Sequence, residues 1–110
     1  MPVDIPTLRK MVEADESDTV MRYVLGQKLL EEDGGSEALR EAREHLVFVK
    51  ENDPRNAAAL LTLAKVLEAL QETDAALLVI DEAIQRIDRS PDIDGTDLKP
   101  ELEALKESLT

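Results

Sequence analysis

Apolar residues recur along this chain every three to four positions, and no stretch alternates as a half-buried strand does. The pattern resolves into six helical segments. The first is predicted over Asp4–Ala14, with Ile5, Leu8, Met11 and Val12 on one face, Asp4 as its cap and Pro6 tolerated in its first turn. The second is predicted over Thr19–Glu32, capped by Ser17 or Asp18 and ended by Asp33-Gly34-Gly35. The third follows Ser36 as cap, carries Leu39, Ala42, Leu46 and Val49, and stops near Asn52. Asp53-Pro54 is expected to open the fourth, with Leu60, Leu63, Leu67 and Leu70. The fifth follows Thr73 or Asp74 and reaches about Ile87. A linker over Asp88–Gly95 leads to a short last helix striped with Leu98, Leu102, Leu105 and Leu109, an amphipathic face suited to docking.

The segments repeat. Ala42, Leu46 and Val49 precede Ala76, Ile80 and Ala83 by 34 residues, while Leu25, Gly26 and Leu29 precede Leu63, Ala64 and Leu67 by 38. The difference of four places an insertion in the turn from Glu31 to Ser36. That turn is therefore expected to be longer than the one near Gln71–Thr73.

A 34-residue helix-turn-helix period with small residues at Gly26, Ala42, Ala64 and Ala76 resembles the tetratricopeptide repeat family. The first repeat reads Arg22, Leu25, Gly26, Leu29, Ala42, Leu46, Pro54, and the second reads Leu60, Leu63, Ala64, Leu67, Ala76, Ile80. The likeness covers about Thr19 to Ser90. It departs from the family where aromatic positions are aliphatic, where Arg22 replaces tryptophan, and where Asp88 replaces a second proline. The resemblance implies an all-α, right-handed stack of antiparallel hairpins, an α-solenoid formed as a single domain over 1–110. An N-terminal helix over 4–14 precedes repeat one (19–56) and repeat two (57–90), and a capping helix (97–109) closes the stack. The cap is expected to pack beside Leu77, Ile84 and Ile87, although the linker is long enough for it to turn back into the groove.

The same resemblance implies a protein-interaction module or scaffold, whose concave groove is lined by the first helix of each hairpin. Carried over residue by residue, that groove presents Val20, Tyr23, Gln27, Leu30 and Glu31 from the first repeat. The second contributes Ala58, Leu61, Lys65, Glu68 and Ala69. Helical geometry agrees on the first repeat, because Val20, Tyr23, Gln27 and Leu30 lie opposite Leu25, Gly26 and Leu29. Tyr23 is the best anchor there. With Lys65 the only base, capture of a C-terminal carboxylate is not expected, and an amphipathic helix or extended apolar peptide suits the groove better. The alternative is an assembly protein, a homodimer formed through an apolar outer surface of Phe48, Leu78 and Val79.

Composition narrows the function classes. The formal net charge of the 110 residues is -12, from 25 acidic and 13 basic side chains. Such a chain repels phosphate backbones, so no nucleic-acid partner is expected. There are no cysteines, which excludes disulfides and thiolate metal sites. The first fifteen residues lack an unbroken apolar stretch, and the longest apolar run, Ala75 to Ile80, is far short of the ~20 residues that span a bilayer. The expectation is a cytoplasmic protein without a membrane partner.

Catalytic chemistry finds little footing. His45 is the only histidine and reads as a solvent-edge side chain, and no nucleophile–base pair or phosphate loop is present. No enzymatic activity and no cofactor are expected. The stretch from Ser90 to Glu101 approximates a calcium loop through Asp92, Asp94, Gly95 and Glu101. Ser90 in place of the first acid, and Asp97 in place of an apolar residue, favour an ordinary turn with Thr96 or Asp97 capping the last helix.

Overall fold

A helix leaves its first amides without partners inside the helix, and polar side chains can take them up. In the computed structural model, which describes residues 4–90 and 97–110, six helices follow in order. They are α1 (Ile5–Ala14), α2 (Thr19–Lys28), α3 (Ser36–Asn52), α4 (Ala57–Ala69), α5 (Thr73–Arg89) and α6 (Lys99–Leu109). A π-helical turn, Leu29–Asp33, prolongs α2. No strand occurs among the described residues. The radius of gyration, 13.5 Å, is that of a chain folded into one body.

Three starts rest on side-chain caps. Asp4 Oδ1 accepts from the Thr7 amide at 2.9 Å, and Asp18 Oδ1 from the Met21 amide at 3.0 Å. Asp18 is thus the cap of α2, while Ser17 Oγ donates to Asp15 instead. Asn56 Oδ1 accepts from the Ala59 amide at 3.0 Å and opens α4. That start lies later than Asp53-Pro54 suggests. Pro54 bars the α region to the residue before it, and Asp53 takes φ -136, ψ 77, which closes α3 and forces a turn before the next helix.

Other boundaries also shift. Ser36 is the first residue of α3 rather than its cap; Gly35 holds the cap position without a side-chain bond. Thr73 likewise lies inside α5, after Gln71 in the left-handed region at φ 64. The last helix begins at Lys99, with Leu98 at the cap position, so Asp97 does not cap it by a side-chain bond.

The four-residue insertion does not lengthen the turn. Only Gly34 and Gly35 separate the helical turns of the first hairpin, against Leu70–Glu72 in the second. The extra residues enter the helices: α2 gains two at its end through the π-helical turn, and α3 gains three at its start. Gly34, at φ 72, stops the run by donating its amide to the Leu29 carbonyl at 2.9 Å.

Consecutive helices pack on one another, and α2 also touches α4. The small residues sit in that packing. Gly26, Ala42, Ala64 and Ala76 are all buried. A Cβ added to Gly26 would lie 2.8 Å from Leu46 Cγ, so the α2–α3 crossing is as close as a glycine permits. The last helix packs on α5, with Leu102 fully buried, and its bases bridge back: Lys106 to Asp81 and Lys99 to Asp88, both at 2.7 Å.

Candidate partner-binding face

The buried line of α2 and its π-helical turn is Leu25, Gly26 and Leu29. The four positions opposite are less covered, with Tyr23 and Leu30 still packed in part against the core. Val20 is 58% exposed, while Tyr23, Gln27 and Leu30 are half-buried. Gln27 donates to Glu31 one turn on, at 3.4 Å, and Glu31 itself is exposed. This helix therefore keeps an apolar strip, Val20–Tyr23–Leu30, on its accessible side.

The second hairpin differs. Leu61, at the position equivalent to Tyr23, is only 5% exposed and belongs to the core. Lys65, Glu68 and Ala69 are exposed, and Ala58 is half-buried. The α4 side of the expected groove thus offers small and charged groups, and its one large apolar side chain is already covered.

The outer-surface residues are likewise divided. Leu78 is 72% exposed, the most open large apolar side chain among the described residues. Val79 beside it is buried. The two line a depression of about 460 Å³ whose rim carries Lys50, Asp81 and Glu82. Lys50 pairs with Glu82 at 3.4 Å and Lys106 with Asp81, so the rim is electrostatically balanced. Phe48 is half-buried, and the Arg22 guanidinium stands over its ring, 4.0 Å from the centroid. Phe48 is thus capped from α2 rather than left open.

A polar cluster joins α1, α2 and α3 around His45, which the sequence places at the solvent edge but whose side chain is only 14% exposed because these helices close over it. Arg22 Nη1 lies 3.3 Å from His45 Nδ1, and its Nε donates to the Glu16 carbonyl at 2.6 Å. His45 Nε2 faces Glu41 Oε2 at 3.4 Å. Glu41 in turn receives a two-pronged guanidinium from Arg9, with Nη2 at 2.8 Å and Nε at 3.0 and 3.2 Å. A cavity of about 220 Å³ opens at this cluster, floored by Val12 and Leu25.

The electrostatics follow from that geometry. Hydrogen bonds from Arg9 hold the Glu41 carboxyl below its usual range. Burial lowers the His45 pKa, against the pull of Glu41, which raises it. A guanidinium has no lone pair to accept with, so His45 Nδ1 must be the acceptor from Arg22 and Nε2 must carry the proton toward Glu41. The 23-residue separation of Arg22 and His45 hides the pair from any local motif. Its one trace in the sequence is that Arg22 occupies a position where the repeat pattern places an aromatic ring.

Among the described residues, no group of three or more His, Cys, Asp or Glu side chains is placed to hold a metal ion, and no helix is long and apolar enough to cross a membrane. The calcium-loop residues Asp92, Asp94 and Gly95 lie outside the described residues. A scan against protein-family models finds no match, and a search of curated proteins finds none.

Proposed function

We propose that this chain is a non-enzymatic protein-interaction module of the tetratricopeptide type. In this reading it forms a right-handed stack of hairpins that acts in the cytoplasm without cofactor, nucleic acid or membrane. It binds a partner peptide or helix along the face formed by Val20, Tyr23, Gln27 and Leu30 of the first hairpin, flanked by Lys65 and Glu68 of the second. The observation that carries the reading is the exposure of Val20 beside half-buried Tyr23 and Leu30, on a helix whose core-facing line is elsewhere. Apolar groups on one accessible strip lose contact with water when a partner covers them. The contact of α2 with α4, besides each helix with its chain neighbours, supports a stacked arrangement.

The test is selection of binding peptides on the immobilised protein, followed by affinity measurements. Tyr23→Ala is expected to weaken a selected ligand by about 1–3 kcal/mol, as loss of a hot-spot aromatic does. A set of ligands whose affinity is unchanged by both Tyr23→Ala and Val20→Glu would overturn the assignment. The second reading, self-association through Phe48, Leu78 and Val79, is favoured by one observation, the exposure of Leu78. Leu78→Glu should then lower the mass of the particle in solution.

A further inference from the structure

In the cluster around His45, one hydrogen bond depends on whether the ring takes up a second proton. Arg22 is held in three ways: by its Nε on the Glu16 carbonyl, by its Nη1 on His45 Nδ1, and by its guanidinium on the Phe48 ring. Only the second depends on protonation. The neutral imidazole accepts at Nδ1. An imidazolium carries hydrogen there and has nothing to accept with.

We infer that His45 and Arg22 form a proton-operated latch, in which protonation of His45 at Nδ1 replaces a hydrogen bond with a contact between two cations and releases the Arg22 guanidinium from Phe48. The surroundings decide which side gives way. From α3 itself, Glu41 and Glu44 favour the imidazolium, and Glu41 is already positioned on Nε2. From α1, Arg9 is neutralised by its fork on Glu41, and Glu13 lines the same cavity. Glu16, between α1 and α2, also lines it, and among the described residues Arg22 is the cation that directly opposes His45. The charged imidazole therefore stays on Glu41, and Arg22 is the group that leaves.

It has somewhere to go. The carboxylates of Glu13 and Glu16 stand on the cavity rim and are exposed, so the guanidinium exchanges an imidazole and a ring for carboxylates in water. What it leaves behind is Phe48, a half-buried phenyl ring on α3 with its covering cation removed. Burial of His45, whose side chain is 14% exposed, holds its titration below the ordinary histidine value. The latch is closed at neutral pH and opens on acidification. It does not rest on the partner-binding reading: Arg22 shares α2 with that face, but none of Arg22, His45, Glu41 and Phe48 is among the residues assigned to it.

The test is nuclear magnetic resonance titration of the whole chain, following the His45 ring nitrogens, the Arg22 Nε–H and the Phe48 ring protons. The expected result is the Nε2–H tautomer at neutral pH, with one acid step shared by all three probes and helical circular dichroism unchanged across it. His45→Gln should abolish the Phe48 step. Arg22→Met should raise the His45 midpoint, because the opposing cation is gone. An Nδ1–H tautomer at neutral pH would overturn the latch. So would a His45 titration that leaves Phe48 and Arg22 unmoved, an unshifted midpoint in Arg22→Met, or loss of helix at the same midpoint.

Discussion

The helices α2 and α4 open the two hairpins at equivalent positions, yet they are used differently. Nine of the thirteen residues of α4 are buried, including Leu60, Leu63, Ala64 and Leu67. Of the ten residues of α2, only Leu25 and Gly26 are. Helix packing explains the contrast. Helix α4 lies between α3 and α5 and is touched by α2, whereas α2 has α1 and α3 as its main neighbours. Exposure is thus set by how many helices pack on each one and not by its place in the sequence period. The central hairpin helix becomes scaffold, and the outer one keeps an apolar strip available.

The largest effects should fall on α4. Leu63→Ala is expected to cost about 2–5 kcal/mol in urea denaturation, since a fully packed leucine leaves a cavity. Val20→Ala on α2 should stay within about 0.5 kcal/mol in the same experiment. Similar losses at both sites would erase the distinction.

The next effect is at the equivalent pair Gly26 and Ala64. Gly26→Ala gains about 1 kcal/mol of helix propensity but drives a Cβ to 2.8 Å from Leu46 Cγ, the branch point of a buried side chain that has no room to retreat. Overpacking of this kind costs about 1–3 kcal/mol, so the net change should be destabilising by about 1 kcal/mol. Ala64→Gly, where a methyl already fits, should lose about 1 kcal/mol through propensity. A stabilised Gly26→Ala protein in a thermal melt would mean that the α2–α3 crossing is looser than described.

A smaller, pH-dependent effect distinguishes the α2 side from α4, which has no histidine facing it. The folded-state pKa of His45 is depressed, so the unfolded chain binds more protons in the acid range. The stability contribution is complete above the ordinary histidine value of about 6.5 and is lost as pH falls through the depressed folded value. Denaturation midpoints measured against pH should show this loss in the wild type. His45→Gln should lack it, leaving the carboxylate losses that follow at lower pH as Glu41 is protonated.

Much of the helical framework is legible in the sequence because its signals are local. Asp4 and Asp18 cap the helices that their positions suggest, and the apolar stripes give α3, α4 and α5 their faces: Leu39, Ala42, Leu46 and Val49 on α3, Leu60, Leu63 and Leu67 on α4, and Ala76, Ile80 and Ala83 on α5. The small residues Gly26, Ala42, Ala64 and Ala76 stand out through their repeat spacing and are buried. Two of the misplaced boundaries come from the backbone just before the helix. Ser36 and Thr73 are good capping types, but glycine at 35 and the left-handed Gln71 let the backbone enter the helix one residue sooner. Leu61, which the resemblance places in the groove, and Val79, which it places on an outer surface, are instead buried by tertiary neighbours that a repeat pattern does not specify. Of the Arg22–His45–Glu41–Arg9 cluster only the Glu41–His45 pair is local, at i,i+4 on α3; Arg9 and Arg22 come from two other helices brought to it by the fold.

The most direct measurement of the account's central claim is amide-proton shift mapping with a peptide selected on this protein. The predicted result is a continuous perturbed strip over Val20, Tyr23, Gln27 and Leu30, reaching Lys65 and Glu68 on α4, with the interior of α4 around Leu63 unmoved. Perturbations confined to α5 around Leu78, with none near Tyr23, would contradict it and place the binding surface on the opposite hairpin.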